Sequence, residues 1–337
     1  MTWLLYLSIF TSIHILIALW IGQVTLHPLI LFPISIISTV YIKRRFPFHA
    51  PPVSRVSVII GILTFLFLFG ILIFNNGYPA SADPFHTVIV RVFSERIASS
   101  FPPYHNYPQV YPYGFHVFAK SVSDILFFIR DYRVLWLTGA LFFSLLPVIA
   151  GGVFTGASTQ SAALAAVLFL GQKVLFSDFF YGMYPELLGI FLVFSGLTLY
   201  RIKSPLWFIP WAATIAVHPT AAVIGFIIFS MLFLLKKDLH SLLVLIFSPI
   251  LALPVLVVSY SAIFQNMLAH PTTEFGFHSP TALLSWIGIG TTGIAGIAVV
   301  TLIPLKKREN IHLLSASAIL GCIGIAAFTI SPTYSWK

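Results

Sequence analysis

The chain has 337 residues, 58% hydrophobic and 8% charged, and a mean hydropathy of +0.98. An ordinary soluble domain is about 25% charged, so a water-soluble enzyme and a disordered chain are both excluded and the apolar excess calls for lipid as solvent. Cys322 is the single cysteine and lies in an apolar run, which excludes a disulfide framework and a Cys-based metal centre. The formal charge of +9 comes from short basic clusters between apolar runs, the pattern of membrane-protein loops and not of a nucleic-acid surface.

Taking about 20 apolar residues as one span, eleven membrane segments are predicted at 2–22, 28–42, 56–74, 134–154, 159–176, 184–200, 206–217, 219–235, 241–262, 283–303 and 311–330. The expected fold is an all-α polytopic membrane protein, a single transmembrane domain over 1–337 with one large loop at 75–133. The first segment has no basic region ahead of it and no small-residue cleavage site after it, so it is expected to be a retained span and not a signal peptide.

Orientation follows from four basic clusters: Lys43, Arg44, Arg45 and Arg55; Arg201 and Lys203; Lys236 and Lys237; Lys306, Lys307 and Arg308. Placing all four on the cytoplasmic side satisfies the positive-inside rule. It also requires two spans between Lys203 and Lys236, where the chain is short for two and long for one. His218-Pro219 lies in the middle of this stretch. A short helix, a proline break and a second helix are therefore expected, an arrangement tolerated where backbone lines a polar cavity. With this layout seven of the nine acidic residues fall outside (Asp83, Glu95, Asp124, Asp131, Asp178, Glu186 and Glu274). Seven of the eleven histidines join them at or near the outer face, among them His86, His105, His116 and His218. Polar chemistry is concentrated on one face.

The external segment runs from Asn75 to Arg133. Asn75-Asn76-Gly77-Tyr78-Pro79 reads as a turn. Asp83-Pro84 reads as a helix start, with Asp as N-cap and Pro at the first helical position. Phe85, Ile89, Val92, Phe93 and Ile97 follow near helical spacing, predicting an amphipathic helix in the interface plane. A stiff stretch rich in Pro and Tyr comes next, with aromatic faces that suit sugar rings and equally suit a structural interface role. From Phe115 a second interfacial helix is predicted to about Ile129.

Asp83-Pro84-Phe85-His86, followed after a helix by Tyr111-Pro112-Tyr113-Gly114-Phe115-His116, resembles the large external loop of GT-C type membrane glycosyltransferases, closest to their poorly characterised prokaryotic members. Motif matching covers residues 83–116; loop design and approximate topology extend over the chain. The resemblance implies a transferase that moves a sugar from a polyprenyl phosphate or pyrophosphate to a glycan, lipid or protein acceptor, at the external face of a prokaryotic cell membrane. It implies a catalytic carboxylate, Asp83, just after a span. Three features depart from the family pattern: a short external loop precedes this one, Asp83 lacks an adjacent second carboxylate, and no soluble carboxy-terminal domain follows residue 337. A minimal or truncated member is expected.

Such chemistry needs a base for the acceptor and cations for the departing phosphate. Asp83 is the candidate base, with a simple helix cap as the other reading. His86 lies at i+3 from Asp83 and shares its helix face. Tyr113, His116, Glu186 and His218 are candidate substrate contacts, each with a plain structural reading beside it. Arg91, Arg96 and Lys173 are candidate phosphate ligands; Lys173 interrupts an apolar span and could equally snorkel towards Asp178. Two or three of these groups could meet around a divalent cation, but there is no His-Glu-x-x-His pattern and no Cys pair, so no metal and no other cofactor is predicted. Two further readings stay open: a polytopic transporter, which would carry its polar residues near the bilayer midplane, and a non-catalytic membrane subunit of a glycan-assembly complex.

Overall fold

In lipid a chain must satisfy its own backbone hydrogen bonds, and uninterrupted apolar runs do so as helices. The computed structural model describes residues 1–21, 28–50, 53–75, 77, 79–80, 83–92, 100–101, 104–108, 112–153, 179–180, 182–236 and 239–261. These form α1 (Thr2–Ile21), α2 (Pro28–Arg45), α3 (Arg55–Phe74) and α4 (Asp83–Val92). A small antiparallel hairpin follows, β1 (Ser100–Phe101) with β2 (Tyr104–Pro108). Then come α5 (Gly114–Ile125), α6 (Asp131–Val153) and α7 (Tyr184–Arg201). A 3-10 turn at Pro205–Trp207 leads into α8 (Phe208–Val217), α9 (Pro219–Lys236), α10 (Leu239–Leu251) and α11 (Leu253–Tyr260). The expected segments at 159–176, 283–303 and 311–330, with Cys322, lie outside the described residues.

The short helix α8 is the hub. It packs on α1, α5, α7, α9 and α10, and each residue from Ile209 to Val217 is buried. Trp207, Trp211 and Phe229 fill the space between α8 and α9, their rings 4.9 and 5.1 Å apart. On the other side α6 is clamped between α3 and α7, with the Trp136 indole donating to the Leu68 carbonyl at 3.0 Å.

At the periphery the pattern inverts. Ile59, Ile62, Leu63, Leu66 and Phe67 of α3 are all more than half exposed, and Ile37 and Tyr41 of α2 are exposed as well. A contiguous apolar face of this size is foreign to a soluble monomer. Among the described residues, Thr2–Ile21, Arg55–Phe74 and Asp131–Ala150 are each long and apolar enough to cross a bilayer, and a bent pair over Leu242–Tyr260 makes a fourth if it acts as one span. The chain is a helical membrane protein. Exposed Trp3 and Trp20 mark the two ends of α1, about 25 Å apart along the helix axis, the positions where interfacial tryptophans gather.

Two interruptions shape the core. The backbone leaves helical geometry at His218 (φ −154°, ψ 133°), and Pro219, which has no N–H to donate, opens α9. The proline break expected at this point is present. The segment expected as one span at 241–262 is instead bent by 63° between Leu251 and Leu253. Pro249 and Pro254 remove donors on both sides of the bend, and α1 supplies one: the Trp20 indole donates to the Leu251 carbonyl at 2.7 Å. The Tyr260 hydroxyl then donates to the Ile215 carbonyl of α8 at 2.9 Å.

The segment from Asn75 to Arg133 also departs from its expected form. Helix α5 does not lie on the surface: Phe115, His116, Val117, Phe118 and Ala119 are buried against α1, α2, α6, α7 and α8. It ends at Ile125 and not near Ile129, and the following turn exposes Phe127 and Phe128. Residues 93–99, which carry Phe93 and Ile97, lie outside the described residues.

Candidate functional site

Helix α4 opens at Asp83, and one turn later it carries His86 into the interior. Helix α5 brings His116 to meet it: Nδ1 of His86 is 2.8 Å from Nε2 of His116. One of these nitrogens must carry the proton and the other accept it, so the tautomers of the two rings are tied together. Burial lowers the pKa of His86 to about 4, opposed in part by a hydrogen bond with the Gly182 backbone. Burial, and then the neighbouring His86, push His116 well below the ordinary value. Both rings are therefore neutral at pH 7.

A third buried histidine lies nearby. His218 ends α8 and is buried, close enough to His86 for their charges to interact. Gly114 makes this approach feasible, since a Cβ there would stand 2.6 Å from the Ala216 carbonyl oxygen; only a glycine lets α5 start this close to the end of α8. Tyr184 and Phe115 complete the enclosure, with ring centroids 6.1 and 6.5 Å from that of His86. Glu186, in the first turn of α7 with Tyr184, is also buried. Tyr113 immediately precedes α5 and is buried; burial raises its phenol to about 12, so it keeps its proton at pH 7.

The candidate phosphate ligands fare differently. Arg91 is engaged by Asp131 at 2.9 Å with its side chain largely exposed, and Asp131 also accepts from the Ser123 hydroxyl at 2.6 Å. This links α4, α5 and α6 outside the histidine cluster. Lys120 pairs with Asp124 one turn along α5. Arg96 and Lys173 lie outside the described residues, as does Asp178. Among the described residues no group of three or more His, Cys, Asp or Glu side chains is placed to hold a metal ion.

Compared with known proteins, the chain matches no family model, no curated protein and no solved structure.

Neutral, buried imidazoles are poor partners for phosphate, and here His86 already bonds His116 and the Gly182 backbone. Asp83 is the first residue of α4, and Glu186 lies in the first turn of α7. Tyr184 and Gly182 went unselected in the sequence. Tyrosine before proline and glycine before methionine carry no spacing signal, and their importance comes from the fold around His86.

Proposed function

We propose that the chain is a GT-C type glycosyltransferase of about eleven spans that moves a sugar from a polyprenyl-phosphate or polyprenyl-pyrophosphate carrier to an acceptor at the external membrane face. One observation carries this reading: His86, one helical turn after Asp83, meets His116 from a separate stretch of sequence inside the protein. In this scheme Asp83 deprotonates the acceptor hydroxyl. The histidines, with Tyr113 and Glu186, orient sugar hydroxyls, and arginines of the external segment hold the leaving phosphate. An open apolar groove lined by Leu66, Phe67, Gly70, Ile71, Phe74 and Asn75 adjoins the start of that segment and suits a prenyl chain.

The deciding experiment compares Asp83→Asn with Asp83→Ala in glycan transfer, with membrane expression as control. Asn caps a helix about as well as Asp but cannot act as a base, and a lost general base lowers the rate by about 10²–10⁴-fold. Wild-type transfer by the Asn variant would reduce Asp83 to a cap. The transporter reading draws on the two broken helices, at His218 and at Ala252, since such breaks house substrate sites. Uptake of a soluble sugar into vesicles, in the absence of any lipid-linked sugar, would favour it.

A further inference from the structure

We propose that the end of α2 with the segment after it as far as Ala50, together with the start of α3, is a binding site for an anionic phospholipid headgroup, held by Lys43, Arg44, Arg45 and Arg55 in the leaflet where α1 begins. The inference is independent of the transferase reading. Residues 1–82 contain no Asp or Glu, so these four cations have no acidic neighbour in their own part of the sequence. All four are exposed. Among the described residues the ion pairs, Arg91 with Asp131 and Lys120 with Asp124, involve none of them. The carbonyl end of α2 offsets only about half a unit charge, against three cations in its last turn.

The segment is also held in place. The Ala50 amide donates to the Thr2 hydroxyl at 3.3 Å, Phe48 stacks on Tyr6 with centroids 4.5 Å apart, and the Lys43 ammonium lies 5.5 Å from the centre of the Tyr6 ring. Lys43, Arg44 and Arg45 are thus presented beside a backbone tied to the first turns of α1. At the start of α3 no side-chain cap meets the first amides, and a helix N-terminus beside cations adds to the attraction for an anion. Directly adjoining the charges, Ile37, Val40, Tyr41 and Phe46 are exposed. A soluble anion would answer the charges and leave this apolar surface bare; a phosphate carrying acyl chains answers both.

The test titrates the detergent-purified full chain with phosphatidylglycerol or phosphatidylcholine and reads bound lipid by native mass spectrometry. Phosphatidylglycerol is expected to bind in preference. Arg44→Gln with Arg45→Gln should weaken it by about 25-fold, about fivefold for each cation, while Arg44→Lys with Arg45→Lys should retain most of the affinity. The charge-preserving pair keeps the result decisive if the neutral pair folds poorly. Equal binding of the two lipids, or unchanged binding in a well-folded Gln pair, would overturn the proposal. Complete displacement by glycerol phosphate alone would overturn it too, by making a soluble anion the partner.

Discussion

Gly139 of α6 lies flat against the ring of Tyr184: a Cβ added there would stand 2.3 Å from the ring carbon Cδ1. The tyrosine is fully buried and sits beside His86, so this contact sets one wall around the histidine pair. Gly139→Ala should therefore displace Tyr184 and cost about 1–3 kcal/mol, as overpacking of a tight core does. A thermal melt in detergent checks the stability. Gly139→Ala combined with Tyr184→Leu should recover part of the loss; no recovery would place the strain elsewhere.

Protonation of the histidine pair predicts an acid-labile fold. An unfolded imidazole takes up its proton near pH 6.5, whereas folded His86 resists until about pH 4 and His116 lies well below the ordinary value. Between those limits the unfolded chain holds more protons, so stability is full above about pH 6.5 and falls as the pH drops. The slope is about 1.4 kcal/mol per pH unit for each histidine that remains neutral. Melting temperatures from pH 7.5 to 4.5 should show the decline, and His86→Asn with His116→Asn should make it shallower. An equal slope in that double variant would remove the pair from the account.

The Arg91–Asp131 pair separates a strut from a phosphate ligand. Arg91 is mostly solvent-exposed, and exposed ion pairs contribute about 0–1 kcal/mol. Arg91→Met should thus leave the melting temperature nearly unchanged. Asp131→Ala should cost more, since it also strips the Ser123 hydroxyl of its acceptor. If Arg91 additionally meets the donor phosphate, its Met variant raises the donor KM while Asp131→Ala does not. Equal effects of both variants on KM would assign Arg91 to structure alone.

The expected sidedness is tested at exposed positions. Phe128, in the turn after α5, is 72% exposed, and Arg45 is exposed in the basic segment. In a Cys322→Ser background, Phe128→Cys should react with a membrane-impermeant maleimide in intact cells, and Arg45→Cys only after permeabilisation. Ser204 is a poor reporter for the basic face because it is buried and its hydroxyl accepts from the Leu206 amide. Reaction of the Arg45→Cys variant in intact cells would invert the topology.

What the sequence revealed depended on how local the cause was. The break at His218 was legible because proline removes a donor and the chain between Lys203 and Lys236 fits neither one span nor two. The helix starting at Asp83 was legible from its Asp-Pro opening. The bend at Ala252 was not, although Pro249 and Pro254 stand on either side. Apolar runs mask such bends, and the partner that stabilises this one, Trp20, is 231 residues away. Helix α5 shows the same limit. Its apolar face suggested a membrane surface, but hydrophobicity cannot distinguish lipid from the flanks of α1 and α8. His86 and His116 could each be singled out; that they touch across 30 residues required the fold.

The ten residues of α8 reach only about 15 Å, half the thickness of a bilayer's hydrocarbon core. A helix that stops so early ends inside the protein, but its C-terminal pole does not stand alone: the Tyr260 hydroxyl donates to the Ile215 carbonyl, and α9 opens at Pro219, so the negative pole of one helix faces the positive pole of the next. The two helices meet pole to pole, and the break costs less than two isolated helix ends would.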